Sequence, residues 1–262
     1  MPSIRANSAN FNLSSTVESG QIFRWRKEGN GYAICHRDKR FFVAQKGNQL
    51  EFRGVSAAFV QHFFGLDLNY AKIKQQLLCD KALAPAIRAH PGIHLIRQEP
   101  WECTVSFICS QFSNIKKIQL NLRKIVDCFG AKGSFPSSAA INDHAKLRNC
   151  GTGFRAKYIF ETSKRVSDKF FAEIAQKSYE EAKTELMTLP GVGEKVADCI
   201  CLFSLGFTEA FPVDVWIKRA MEELYFGAEK RKEKKIREFA GQHWGKLAGY
   251  AQQYLYHWRR LR

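Results

Sequence analysis

Two hydrophobic periodicities follow one another along the chain, strand-like up to residue 53 and helical from residue 56 onward. Residues 23–53 alternate apolar and polar side chains, the pattern of strands with one buried face. The short polar turns 29–31 and 46–48 separate the alternating segments, and such turns favour antiparallel hairpins. The pattern therefore predicts four strands, which cover residues 23–26, 32–34, 40–45 and 50–53.

Helical spacing replaces this alternation from residue 56 onward. Residues 56–66 and 69–78 place apolar side chains on one stripe, and helical patterns dominate beyond Glu99. Breaks in these patterns fall at glycines or prolines, in residues 130–133, 151–153, 189–193 and 211–212. The sequence predicts an α+β chain, with an N-terminal antiparallel sheet domain over 1–98 and an all-α domain over 99–262.

A glycine-rich hairpin in the second domain carries the strongest local signal. A Ser-x-x-Glu capping box at 178–181 predicts a helix from about 179 to 187. The segment Leu-Pro-Gly-Val-Gly at 189–193 then ends this helix and turns the chain, and a second helix is predicted over 193–206. This helix–hairpin–helix, at about 179–206, offers unpaired glycine N–H groups at a helix N-terminus, which attract phosphate.

Lys195 and Asp214 are the candidate catalytic pair. Lys195 lies in the first turn of the second predicted helix, where the helix dipole and partial shielding disfavour its charged form. A neutral amine is a nucleophile, whereas the alternative is a surface lysine that contacts phosphate. Asp214 precedes a predicted helix, so N-capping alone would explain it. A capping aspartate also stays ionised, which suits the stabilisation of a developing sugar cation.

Charge and cysteine content limit the class of binding partner and the cellular compartment of the protein. The chain has 41 Lys+Arg against 25 Asp+Glu, a net charge of +16 that is shared equally between 1–98 and 99–262. Such a surplus favours a polyanion, either nucleic acid or an anionic membrane. No apolar run approaches the ~18 residues of a membrane span, and the scattered cysteines indicate free thiols in a reducing compartment. We expect an intracellular monomer of the cytoplasm or nucleoid, or of the nucleus in a eukaryote.

An ordered set of motifs resembles the helix–hairpin–helix DNA glycosylases, in particular the eukaryotic-like 8-oxoguanine DNA glycosylases. The motifs match in order and spacing between residues 17 and 258; they are SGQIFRW at 19–25, WEC at 101–103, SFICS at 106–110, GTGFRAKY at 151–158, LPGVGEKVADC at 189–199, FPVDV at 211–215 and GYAQ at 249–252. The resemblance implies a TATA-binding-protein-like sheet domain before the helical domain, and double-stranded DNA containing 8-oxoguanine as the partner.

The resemblance also implies a bifunctional reaction. Lys195 would attack C1′ of the damaged nucleotide and expel the base, and β-elimination from the resulting Schiff base would nick the strand. Asp214 would stabilise the oxocarbenium-like transition state. Two other classes stay open on the residues alone. One is a monofunctional glycosylase for alkylated bases, which normally lacks the lysine, and the other is a non-catalytic DNA-binding module.

A base pocket follows from the same resemblance. The flipped 8-oxoguanine would donate its N7–H to the carbonyl of Gly20, a proton that guanine lacks, and Gln252 would bond its Watson–Crick edge. Cys199 and Tyr256 would cover its two faces. Without the resemblance, ordinary core packing would be the better explanation of Cys199 and Tyr256.

The implied DNA contacts surround this pocket. Arg155 would reach the cytosine opposite the lesion, and the other contacts are Gly191, Val192, Gly193, Asn114 and Lys117. No cofactor is implied beyond a structural cation at the hairpin, held by the backbone carbonyls of Met187, Leu189 and Val192. Two positions depart from the family pattern: Phe112 replaces an asparagine, and Trp216 replaces a histidine. Because an aromatic wedge stacks on any base, these departures predict loose selectivity for the opposite base.

Overall fold

Five antiparallel strands form one sheet in the computed structural model, which describes residues 1–262. The strands are β1 (Ser3–Arg5), β2 (Trp25–Glu28), β3 (Gly31–His36), β4 (Lys39–Lys46) and β5 (Gln49–Arg53), in the order β1-β5-β4-β3-β2. The predicted strands and hairpins are therefore confirmed. The edge strand β1 was not predicted, because three residues in a polar segment give no periodicity.

The alternation in the strands builds the smaller core. Tyr32 of β3 pairs with Val43 of β4, and Ile34 pairs with Phe41, so all four side chains point to one face of the sheet. Phe63 packs on this face against Phe41, with ring centroids 5.5 Å apart. The residues of this core are buried from water, and their burial holds the N-terminal helices on the sheet.

Fourteen α-helices make up most of the rest of the regular structure. They are α1 (Leu13–Val17), α2 (Ala57–Phe63), α3 (Tyr70–Leu77), α4 (Ala84–Ala89), α5 (Pro100–Cys109), α6 (Ile115–Phe129), α7 (His144–Leu147), α8 (Arg155–Ser163), α9 (Asp168–Ile174), α10 (Tyr179–Leu186), α11 (Glu194–Ile200), α12 (Val215–Tyr225), α13 (Glu233–Trp244) and α14 (Ala248–Arg260). All strands precede residue 54 and every element after residue 98 is helical, so the predicted α+β class is confirmed. None of these helices has the length and apolar character needed to cross a bilayer.

The larger core gathers residues from both parts of the chain. Tyr70 and Leu77 of α3 and Ile87 of α4 lie in the same buried cluster as the helices after residue 98. The C-terminal helix α14 packs against α4. The end of the chain thus returns to the N-terminal part, and this return positions the site described below.

A buried ion pair joins the sheet to α5. The Arg24 guanidinium donates to the Glu102 carboxylate at 3.0 Å, and their side chains are only 8% and 7% exposed. The backbone N–H of Arg37 donates to the second oxygen of Glu102 at 2.6 Å. Both carboxylate oxygens therefore have donors, which is the condition under which a buried charge is tolerated.

We expect Glu102→Ala to destabilise the protein strongly. Removing the carboxylate leaves the buried Arg24 charge without a counter-charge, although its bond to the Gly133 carbonyl persists, and this change costs about 3–5 kcal/mol. Urea unfolding would measure the loss. The matched control is Glu238→Ala, which breaks the exposed Lys235–Glu238 pair and is expected to leave the unfolding midpoint unchanged. Equal midpoints for the two variants would show that the pair does not hold the domains together.

Candidate active site

The predicted helix–hairpin–helix is present, and a close approach fixes its turn. The Ser178–Glu181 capping box starts α10, and α11 continues as one π-helical turn to Leu205. Gly191 has φ +76°, and a Cβ there would lie 2.6 Å from the side chain of Tyr158. Only glycine satisfies both conditions. The N–H groups of Gly191 and Gly193 make no hydrogen bond within the chain, so both are free for a phosphate.

Val192 differs from its glycine neighbours. Its side chain is 4% exposed, and its N–H donates to the carbonyl of Leu189 at 3.1 Å. Val192 packs inside the hairpin and uses its N–H there, and its contact with DNA stays a prediction. The carbonyls of Met187 and Val192 accept no hydrogen bond within the chain, which fits oxygen ligands of a cation.

Lys195 lies partly buried in the first turn of α11. Its Nζ donates to the hydroxyl of Ser110 at 3.2 Å and lies 5.0 Å from the centre of the Phe107 ring. No carboxylate lies within salt-bridge distance of the amine. The Lys195 charge acts on Cys199 and Asp214, where it opposes the rise in pKa that burial causes. The amine thus stands against an aromatic ring and a hydroxyl group, without a salt bridge.

Asp214 holds a defined position at the start of α12. Its Oδ1 accepts hydrogen bonds from the N–H groups of Trp216 at 3.0 Å and Ile217 at 2.8 Å, so it is the N-cap. Burial raises the pKa of Asp214 above the ordinary aspartate value, while the Ile217 N–H and the Lys195 charge act in the opposite direction. Asp214 therefore caps α12 and also lies within electrostatic range of the Lys195 amine.

Three predicted pocket residues meet beside this pair. Gly20 has φ +75°, and a Cβ there would lie 2.9 Å from the ring and hydroxyl of Tyr256. Burial raises the pKa of Tyr256 to about 12, Arg260 acts in the opposite direction, and the charges of Asp214 and Cys199 add to the rise. Burial also raises the pKa of the Cys199 thiol to about 12. Cys199 and Tyr256 are therefore neutral at pH 7 and present uncharged surfaces to a base.

Gln252 supplies an unused acceptor to the pocket. Its Nε2 donates to the carbonyl of Pro212 at 3.2 Å, which fixes the orientation of the amide. Its Oε1 is buried and accepts no hydrogen bond. A buried polar atom without a partner is costly, so one that a native protein keeps calls for an explanation such as a bound ligand or a catalytic role. The Gln252 oxygen is thus available to donors on the Watson–Crick edge of a purine.

The loop after α5 presents an aromatic surface. Phe112 is 95% exposed and has φ +46°, and Phe154 is 54% exposed with its ring 6.4 Å away. Phe154 was missed in the sequence, although it follows the quoted glycines directly. Two exposed phenylalanines on adjoining loops are unusual for a surface that contacts only water, and their faces suit base stacking.

Arg155 anchors this loop from below. Its guanidinium donates to the carbonyls of Gln111 at 2.9 Å, Phe112 at 3.2 Å and Thr152 at 3.3 Å. The side chain is buried, and contact with an opposite cytosine would require an exchange of these bonds. That contact stays a prediction. The structure adds a role that the sequence did not indicate, which is to hold the Phe112 backbone in place.

Asn114 and Lys117 occupy the first turn of α6, next to this loop. The Asn114 side chain accepts the Lys117 N–H at 3.0 Å and caps the helix, and both residues are exposed. The Lys117 ammonium lies beside Gly151. Ser110, Phe107 and Gln111 also belong to the site, and the sequence assigned them no role. Gln111 donates to the Gly191 carbonyl at 2.9 Å and so links the loop to the hairpin.

Comparison with known proteins places this arrangement in a family. Residues 3–104 match the family model of the 8-oxoguanine DNA glycosylase N-terminal domain, and residues 105–246 match that of the HhH-GPD superfamily base excision DNA repair proteins. An N-glycosylase/DNA lyase of Saccharomyces cerevisiae is 31% identical over 274 residues, which cover 88% of this chain and 73% of the relative.

Two solved structures share the whole fold. The structure of MBOgg1 with a low-affinity DNA ligand is 34% identical, with a TM-score of 0.92 over 99% of this chain and 95% of that one. The 8-oxoguanine glycosylase/lyase of Clostridium acetobutylicum is 33% identical, with a TM-score of 0.91 over 96% of this chain and 92% of that one. Its structure contains double-stranded DNA with cytosine opposite 8-oxoguanine.

The sheet domain, the hairpin and the lysine–aspartate pair together define a base-excision glycosylase with the helix–hairpin–helix fold. Within that class, the matches over both domains show that the chain belongs to the 8-oxoguanine DNA glycosylase family.

Proposed function

We propose that the protein excises 8-oxoguanine from double-stranded DNA through a Schiff base on Lys195 and then nicks the strand by β-elimination. The observation that carries this proposal is the partly buried Lys195 amine, which has no salt-bridge partner and lies beside Asp214 and the pocket of Gly20, Cys199 and Gln252. A flipped base would place its C1′ between the amine and the carboxylate.

Each residue has a separate task in this reaction. Lys195 Nζ would form the bond to C1′ while the bond from C1′ to the base breaks. The Asp214 carboxylate would lower the energy of the positive charge that develops on the sugar. The C1′–O4′ bond would then break as the nitrogen loses its proton, which opens the sugar and gives the imine. Loss of a proton from C2′ of this imine would break the bond between C3′ and the 3′ phosphate, which leaves and so cuts the strand. The free N–H groups of Gly191 and Gly193 would hold a phosphate of the lesion strand.

Borohydride trapping tests the proposal directly. Borohydride reduces an imine to a stable amine, so incubation with an 8-oxoguanine duplex is expected to leave a covalent protein–DNA adduct. A monofunctional glycosylase would release the base without an adduct, and a DNA-binding module would do neither. A duplex with guanine in place of the lesion is the control, and an adduct of equal yield there would contradict lesion recognition.

A structural cation at the hairpin fits the same proposal. The carbonyls of Met187, Leu189 and Val192 would hold it, and its charge would strengthen phosphate binding at the hairpin. Since the proposed substrate is double-stranded DNA, we further propose that the protein acts inside the cell, in the cytoplasm or nucleoid or in a eukaryotic nucleus. We expect it to act as a monomer.

We also propose that the aromatic wedge makes the enzyme tolerant of the base opposite the lesion. Phe112 and Phe154 can stack on any base, and Arg155 already bonds to the loop. Single-turnover excision rates are expected to lie within about tenfold of each other opposite all four bases, a spread of about 1.4 kcal/mol. Strict dependence on cytosine would refute this.

Phe112→Ala tests the wedge itself. Loss of one stacked aromatic ring costs roughly 1–3 kcal/mol, so affinity for lesion duplexes is expected to fall roughly 5- to 100-fold, equally for every opposite base. Fluorescence anisotropy would measure the affinities. Leu68→Ala is the matched control, since it removes another exposed apolar side chain in the N-terminal part of the chain. Equal affinities for the two variants would show that Phe112 does not enter the duplex.

A further inference from the structure

The helix that carries Gln252 and Tyr256 also contacts the segment that carries Gly20. Gln253 of α14 donates from Nε2 to the carbonyl of Ser19 at 2.8 Å, and it is 2% exposed. About two helical turns further on, Arg260 donates to the carbonyl of Glu18 at 2.6 Å. The peptide bond just before Gly20 is therefore held from the end of the chain.

The peptide bond that follows the one containing the Gly20 carbonyl is held as well. Gln98 donates from Nε2 to the carbonyl of Gln21 at 3.0 Å, and both residues are buried. The side-chain oxygen of Gln21 accepts the N–H of Ile96 at 2.8 Å, so Gln21 is tied twice to the segment 96–98. The carbonyls of Ser19 and Gln21 thus have fixed directions.

Between these two carbonyls, that of Gly20 has no partner. It accepts no hydrogen bond within the chain, and Gly20 stands at φ +75° against Tyr256. A free glycine residue could turn its carbonyl through a wide range of angles, because it populates positive and negative φ equally well. The Gly20 carbonyl lies in the Gly20–Gln21 peptide plane, and the peptide planes on both sides of it are held by these bonds. This restricts the φ and ψ angles of Gly20 and Gln21, which set the direction of the carbonyl.

We infer that Gln253 is a positioning residue for lesion recognition: its bond to Ser19 aims the Gly20 carbonyl into the base pocket. This inference rests on the proposed function, because it assigns the N7–H of the oxidised purine as the donor that this carbonyl accepts. Gln98 supports the same carbonyl from the opposite side. A hydrogen bond discriminates well only when its acceptor is held in place before the ligand arrives.

The test uses Gln253→Met, which keeps the length of the side chain and removes the donor. Excision of 8-oxoguanine, as kcat/KM, is expected to fall roughly 5- to 100-fold, the effect of one misplaced buried hydrogen bond. Strand cleavage at a preformed abasic site should stay within about twofold, because that reaction needs Lys195 but no base. A purely structural role would lower both rates together.

Two further variants complete the test. Gln98→Met should show the same selective loss, and it replaces the first variant if that one does not fold. Gln45→Met is the matched control, since it removes an amide bond to the Phe11 carbonyl away from the pocket, and both of its rates should stay unchanged. Equal losses on the two substrates, or no loss in either pocket variant, would overturn the inference. Failure of the proposed function would appear separately, as no 8-oxoguanine excision by the unmodified chain.

Discussion

Replacing Lys195 by glutamine is expected to abolish the covalent adduct with DNA and to lower 8-oxoguanine excision on the order of 10⁴-fold or more. Loss of a nucleophile in a covalent mechanism has effects of this size, because no neighbouring group takes over the bond to the substrate. Here the neighbours are the Ser110 hydroxyl, the Phe107 ring and the Cys199 thiol. Burial keeps that thiol protonated at pH 7. None of these groups can form an imine.

Single-turnover cleavage and borohydride trapping would both measure this change. The matched control is Lys169→Gln, which removes an exposed lysine charge on α9 outside the site and should retain full trapping. Lys195→Gln should still bind the lesion duplex, since the free hairpin N–H groups and the aromatic wedge are unaltered. Base release at the unmodified rate without an adduct would identify a monofunctional glycosylase instead.

The periodic parts of the chain explain why so much of the fold was predictable. Alternation in β3 and β4 is a local property, and the resulting register places Ile34 opposite Phe41 on the buried face. The capping box at Ser178 and the N-cap at Asp214 also act over three residues. Such signals can be recognised in the sequence because the residues that interact are close together along the chain.

Contacts between distant segments were not predictable in the same way. Gln253 and Ser19 are 234 positions apart, and no pattern marks a glutamine that will bond one particular carbonyl. The sequence predicted that Arg155 contacts DNA, whereas its guanidinium donates to the carbonyl of Gln111, which lies 44 positions earlier in the chain. The sequence motifs indicated which residues react. The residues that hold them in place could not be predicted, because their contacts depend on how the two ends of the chain pack.

Asp214→Asn is expected to lower excision about 10²- to 10³-fold while stability changes little. Asparagine caps helices as well as aspartate does, so the bonds from the Trp216 and Ile217 N–H groups can persist. What disappears is the negative charge that stabilises the sugar cation, and losses of one such electrostatic group have this size. Asp214→Ala should add a stability loss of about 0.5–2 kcal/mol, because the cap is lost as well.

Asp143 provides the control that separates the two roles. It caps α7 in the same manner, through the N–H of Lys146 at 2.9 Å, so Asp143→Ala should affect stability and not catalysis. The pH profile gives a second readout. Burial raises the pKa of Asp214, so its carboxylate is protonated, and excision lost, as pH falls through a range above that of an ordinary aspartate. Asp214→Asn should remove this acid limb; if the variant keeps both the limb and the full rate, Asp214 is only a cap.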